Sequence, residues 1–274
     1  MTTALHFAED GWATRSRQAL LRYQERQFQK LLHYAWNRSD FYREYYASQG
    51  VSENDLAGIS INDLPLLPKK TLIGNFDRAV TDPRLTRREL EAWFASHRDP
   101  GETFCKDMVV IHGSGTSGDI GIFAYDRSAW SIADATVAGR LPSPENYPNG
   151  KTKVAFYIVG TGHFASAAMV NSMPKNVYDT LTLSLLNSSE QTVKELHEFQ
   201  PHRLSGYSSS IAELAELALK GRLQIYPRRV IVYGDRLREN MEKSIREAWG
   251  VPIYVLYAAS ASKYTAIKSH QRDE

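Results

Sequence analysis

Across 274 residues, 33 Lys and Arg face 31 Asp and Glu, a formal net charge of +2, and 42% of positions are hydrophobic. That composition excludes a disordered tail, a collagen-like fibre and a low-complexity scaffold, and the even charge gives no electrostatic ground for binding nucleic acid or an anionic membrane. The single Cys105 and an opening MTTALHFAEDGW without an apolar core exclude an internal disulfide, a cysteine metal cluster and a secretory signal; a soluble cytoplasmic protein is expected. Leu21, Phe28, Leu31 or Leu32, and Ala35 recur at helical spacing. Ser39 is placed to cap a second helix through Phe41, Tyr42, Tyr45 and Tyr46, which stops at Gly50. Those four aromatics could line a pocket, and packing onto a sheet is the use expected of them. Leu64–Lys70 reads as a rigid connector, because two prolines fix the chain and remove donors. Asp107–His112 reads as a strand, and Ile122 with Ala124 as a second.

Beyond them the chain alternates between types. Val154–Val159, Arg229–Tyr233 and Pro252–Tyr257 read as strands. Ser188 and Gln191 have capping-box spacing ahead of a helix through Val193, Leu196 and Phe199, and Ser210 with Glu213 repeats it ahead of Ile211, Leu214, Ala215 and Ala218. Gly221 stops that second helix. Leu237, Met241, Ile245 and Trp249 share one helical face closed by Gly250. The alternation predicts an α/β fold with a mixed, largely parallel sheet, flanking helices and a helical N-terminal segment.

One loop carries chemistry. His112–Gly118 is the densest glycine–hydroxyl cluster, and two readings of it stand. Its glycines let several N–H groups converge while Ser114, Thr116 and Ser117 add hydroxyls, which makes a phosphate cradle; or it is a surface turn. Gly113, Gly115 and Gly118 also satisfy the dinucleotide spacing, but that fingerprint needs a helix opening at Gly118, where a strand is predicted. A nicotinamide-dependent oxidoreductase is therefore the weakest alternative. A Walker A loop is excluded, since Asp119 stands where its Lys belongs. No metalloprotease His pair and no serine-hydrolase elbow occurs.

Four segments, in order, carry a resemblance. They are Ser114–Gly118; Gly160–Ser166; Phe199–Pro201 with Leu204–Ser208; and Val232–Leu237 followed by Tyr257–Ala261. Together they resemble the adenylate-forming, acyl-CoA-synthetase-like enzymes, in the phenylacetate–CoA ligase and capsule-biosynthesis branch, over residues 28 to 268. The resemblance implies the large N-terminal domain of such an enzyme over residues 1–274, with 1–75 mainly helical. It implies ATP-dependent activation of a carboxylic acid as an acyl-adenylate, then transfer to CoA or an amine, with Mg²⁺ required and a homodimer suggested.

The implied roles follow residue by residue. Ser114, Gly115, Thr116, Ser117 and Gly118 hold the ATP phosphates; Gly234, Asp235 and Arg236 face the adenine; Tyr257, with Ala258 and Ala259, stacks on it. Ser260 bonds the α-phosphate and, with Thr116, is a catalytic residue. His163, Phe164, Gly206, Tyr207 and Ser208 border the acid.

Three departures bear on activity. Ala261 stands where the family has the Glu that organises magnesium, so no metal ligand is expected. Asp119 and Ile120 replace the family's Lys after the loop. The hinge, the ribose-binding Asp and the lid domain are expected to be absent. An incomplete or inactive form, and a non-catalytic nucleotide- or acyl-binding homologue, are the alternatives they raise.

Overall fold

The computed structural model describes residues 16–97, 99–113, 120–138, 141, 150–260 and 266–270. The chain divides into two compact units. One holds Glu9–Ser96 with Ser114–Ile122; the other holds Met1–Ala8, His97–Gly113 and Phe123–Glu274.

The first unit is helical among its described residues. Helix α1 (Arg17–Arg38) opens on Ser16, whose hydroxyl accepts the Ala19 N–H at 3.2 Å. Its inward stripe is the partly buried Phe28 and the buried Leu32 and Trp36, spaced by four, while Leu21 and Leu31 stay 50% and 66% exposed. The expected inward Leu21 is thus corrected: the helix turns its face by the residues that meet α2 (Asp40–Ser48), Val51 and Leu56. Ser39 does sit at the α2 N-cap, but its hydroxyl donates to the Arg78 carbonyl at 2.9 Å and ties the helix to a later segment. Phe41, Tyr42, Tyr45 and Tyr46 pack on one another, with centroids 5.3 to 6.5 Å apart in successive pairs, and not on a sheet. The proline connector runs into three short helices, α3 (Lys69–Gly74), α4 (Phe76–Ala79) and α5 (Arg87–Ser96).

The second unit is the α/β body. Strands β1 (Met108–His112) and β2 (Ile122–Asp126) pair as a small sheet. Helix α6 (Arg127–Ala138) follows, and then β3 (Thr152–Ile158), α7 (Ala165–Ser172), β4 (Tyr178–Ser184), α8 (Ser189–Phe199) and β5 (Arg203–Tyr207). The chain continues through α9 (Ser208–Leu219), β6 (Arg229–Tyr233), α10 (Glu239–Trp249), β7 (Ile253–Tyr257) and β8 (Ala266–His270). The large sheet has the order β4-β3-β5-β6-β7-β8; every pairing is parallel except β7 with β8.

Both faces of this sheet are apolar, as a covered parallel sheet requires. Ala155, Tyr157, Leu204, Val230, Val232 and Ile253 meet Leu196, Ile211, Leu214 and Ile245 from α8, α9 and α10. The alternate residues Val154, Phe156, Ile158, Ile231, Tyr233, Tyr254 and Leu256 meet Met169 and Val170 of α7. Period-two alternation therefore sends each strand's side chains into two different cores.

Caps follow the sequence in part. Ser188 accepts the Gln191 N–H at 3.2 Å and opens α8, and Gly250 closes α10 at φ +60. Ser210 does not cap α9: that helix begins two residues earlier, at Ser208, because its N-terminal acceptor comes from another element. Strand β2 occupies Ile122–Asp126, so the helix that a dinucleotide fingerprint needs after Gly118 is replaced by a strand pairing with β1, which removes the oxidoreductase alternative. Among the described residues no helix is long and apolar enough to cross a membrane.

Candidate active site

The strand order places the site. From β3 the chain passes through α7 to β4 on one side, while from β5 it passes through α9 to β6 on the other. Helices α7 and α9 cover opposite faces. Between the carboxyl ends of β3 and β5 the connections therefore diverge, and that is where open parallel sheets form ligand crevices. The residues at these carboxyl ends are Gly160–Phe164 after β3, Tyr207 and Ser208 after β5, Gly234–Arg236 after β6 and Tyr257–Ser260 after β7.

Backbone approach is tightest at two of the glycines of this edge, Gly206 and Gly234. Gly206, within β5, lies so close to β3 that a Cβ there would stand 2.5 Å from the Tyr157 carbonyl oxygen. Gly234, at φ +85, carries the Tyr207 ring against its Cα: a Cβ would stand 2.4 Å from Cδ1. Tyr207 also meets Tyr233 edge-on, with centroids 6.1 Å apart. The Gly234 backbone face is thus covered by an aromatic ring of the protein itself.

Asp235 has a definite task. Its carboxylate accepts the N–H groups of Ser208 at 2.5 Å and Ser209 at 3.0 Å, and its carbonyl accepts the Ser208 hydroxyl at 3.0 Å. It satisfies the first donors of α9 from across the sheet and meets the positive end of that helix. The β6 and β5 turns are latched together by it. Arg236 is exposed.

The residues expected to border the acid divide. Phe164 is half-buried and stacks edge-to-face with His112 at 4.5 Å. His163 is 2% exposed, and its Nε2–H donates to the His97 carbonyl at 2.9 Å, while its own carbonyl accepts the His112 N–H at 3.0 Å. The imidazole is a brace that joins residue 97, strand β1 and the turn after β3. Burial holds it below the usual imidazole range, against the opposing pull of the His97 carbonyl.

Tyr257 is 66% exposed and offers an open ring face beside Ala258 and Ala259, both exposed. Ser260 is fixed through its carbonyl, which accepts the Tyr125 hydroxyl at 2.5 Å. Sequence reasoning missed Tyr125 and the His97 carbonyl; each acts through a partner far along the chain. Ser114, Gly115, Thr116, Ser117, Gly118 and Ala261 lie outside the described residues. Among the described residues no group of three His, Cys, Asp or Glu is arranged to hold a metal.

No family model matches the chain. Protein CapK of Staphylococcus aureus is 20% identical over 258 residues, which cover 93% of this chain and 53% of that protein. Among solved structures, 2-hydroxyisobutyryl-CoA ligase in complex with 2-HIB-AMP and CoA in the thioesterification state superposes with a TM-score of 0.66 at 17% identity, covering 93% of this chain and 53% of that one. Its open conformation, in complex with the same two molecules, gives 0.61 at 18% identity over 84% of this chain and 48% of that one. The chain thus spans about half the length of the relatives it matches. Parallel strands, diverging helices and a glycine-bearing carboxyl edge agree with that likeness: this chain shares the fold of about half of 2-hydroxyisobutyryl-CoA ligase.

Proposed function

We propose that this chain is the acid- and nucleotide-binding part of an ATP-dependent carboxylate-activating ligase. The observation that carries the proposal is the carboxyl edge of the parallel sheet. There Phe164, Tyr207, Gly234 and Tyr257 stand at the ends of successive strands, in a fold shared with a ligase whose structure holds an acyl-AMP and CoA. The substrate carboxylate attacks the α-phosphorus of ATP; the acyl-adenylate forms and pyrophosphate leaves. A thiol such as CoA, or an amine, then takes the acyl group and AMP departs.

The residues supply binding and orientation. Tyr257 gives an exposed aromatic face for the purine, a contact worth about 1–3 kcal/mol per base. Asp235 holds the turn that carries Gly234. Ser260 is presented on a backbone pinned by Tyr125. Among the described residues no group of three His, Cys, Asp or Glu is arranged to hold a Mg²⁺, and Asp235 gives its carboxylate to two helix N–H groups. No step is therefore assigned to a metal on the protein. Ala261 also favours a second reading, in which the chain binds nucleotide and acid without joining them.

ATP–pyrophosphate exchange over a panel of aryl and aliphatic acids, together with ATP and AMP calorimetry, separates the readings. Exchange with any acid above the no-acid blank is the expected result. Nucleotide binding without exchange supports the second reading, and absence of nucleotide binding rejects both.

A further inference from the structure

The small sheet touches the carboxyl edge of the large one at two places. At the end of β1, the His112 N–H donates to the His163 carbonyl at 3.0 Å and His112 bridges to Phe164 in parallel register, which holds the turn after β3. From β2, the Tyr125 hydroxyl donates to the Ser260 carbonyl at 2.5 Å, which holds the turn after β7. In the large sheet β3 and β7 stand three neighbour spacings apart, roughly 14 Å at about 4.8 Å each. The pair β1 and β2 is thus a cross-tie between two distant turns of the same edge.

The two ends of this tie are built differently. The turn after β3 is held by a backbone hydrogen bond, by the His112–Phe164 ring contact and by the buried His163 imidazole. The turn after β7 has less support. Tyr257 is the last residue of its strand in register with β8, opposite Ala266. Beyond it, among the described residues, no hydrogen bond other than that from Tyr125 reaches Ala258, Ala259 or Ser260. Tyr125 itself is well placed to hold them. Its half-buried ring meets Trp130 edge-on with centroids 5.5 Å apart and packs with Ile111 and Ala168. Phenylalanine would keep that packing and lose the bond to Ser260.

We propose that Tyr125 is a positioning residue for the nucleotide: by holding the Ser260 carbonyl it keeps the turn after β7 in the one conformation that presents the Ser260 hydroxyl and the Tyr257 ring face together. This rests on the ligase reading and deepens it, by naming what keeps the nucleotide contacts formed before the ligand arrives. A turn without that bond samples other conformations and must be ordered at each binding event, so apparent affinity falls by the fraction of time the turn is competent. One neutral hydrogen bond shifts such a population by about fivefold. The residues after β3 keep their own ties, so affinity for the acid does not depend on Tyr125.

The test is AMP and ATP calorimetry with ATP–pyrophosphate exchange on the wild type, Tyr125→Phe and a matched control, Tyr45→Phe. The control removes another hydroxyl-to-carbonyl bond, to Leu66 at 2.6 Å, in the helical unit. Tyr125→Phe is expected to weaken AMP binding about fivefold and to raise KM for ATP by the same factor, while kcat at saturating ATP and KM for the acid stay within about twofold. Both variants should lower Tm to a similar small extent, and Tyr45→Phe should leave AMP affinity and exchange as they are. AMP affinity in Tyr125→Phe within about twofold of the wild type overturns the proposal, whatever happens to kcat. So does an equal loss of affinity in Tyr45→Phe, or a Tyr125→Phe protein that does not fold, since either assigns the bond to stability alone. Each of these leaves the ligase reading to the wild-type exchange. If the wild type binds neither AMP nor ATP, the ligase reading fails and this inference with it.

Discussion

A single hydrogen on the Gly234 Cα is all that the ring of Tyr207 leaves room for. A methyl group there would meet Cδ1 at 2.4 Å and Cε1 at 2.7 Å, on a backbone already at φ +85. Gly234→Ala is therefore expected to destabilise the protein by roughly 2–4 kcal/mol, from the left-handed conformation and the overpacking together. Urea denaturation measures the loss, and near-UV circular dichroism should report the displaced tyrosine. The glycine itself stood out in the sequence, beside Asp235 in a motif-like turn. Its reason did not: Tyr207 lies far upstream and meets it only because β5 and β6 pair with Tyr207 opposite Tyr233. The same holds for His163, singled out as an acid-side residue. Its place beside glycines was legible, but its bond to the His97 carbonyl needed the fold.

Among the helices, α8 and α9 show two ways of satisfying the same need. Helix α8 takes its cap from Ser188, the residue just before it, and that signal is written locally. Helix α9 follows Tyr207 and takes its acceptor from Asp235, so the serine-rich run at 208–210 misleads a reader who looks only nearby. Asp235→Ala is expected to cost about 1–2 kcal/mol, because two helix N–H groups lose a charged acceptor. Asp235→Asn should cost less, since one amide oxygen remains to accept. Thermal unfolding ranks the pair, and amide exchange at Ser208 and Ser209 should quicken in both. The strands tell a similar story. Buried apolar runs such as Val154–Val159 were plain in the sequence. Strand β4 was missed because an edge strand with exposed Asp179, Thr180 and Thr182 carries little apolar pattern of its own.

For the molecule as a whole, the α/β class could be read from alternation, whereas the strand order could not, because nothing local tells β5 to pair with β3 on the side away from β4. That order sets where the connections diverge, so the position of the candidate site was less legible than the fold class. The body also carries a pH response through His163. Its pKa is depressed by burial, so the folded state binds fewer protons than the unfolded chain, whose imidazoles titrate near about 6.5. The stability it contributes is present above that pH and is lost as pH falls below it. Urea unfolding between pH 8 and pH 5 is expected to show this decline, and His163→Gln, which keeps a donor for the His97 carbonyl without a titrating ring, should flatten it. A last consequence follows from the sheet order. Once β3 and β4 have paired, β5, β6, β7 and β8 each add at the same growing border, in the sequence in which they are synthesised. The sheet can be laid down by accretion as the nascent chain emerges, and every stage exposes a fresh border open to the wrong partner until the next strand arrives.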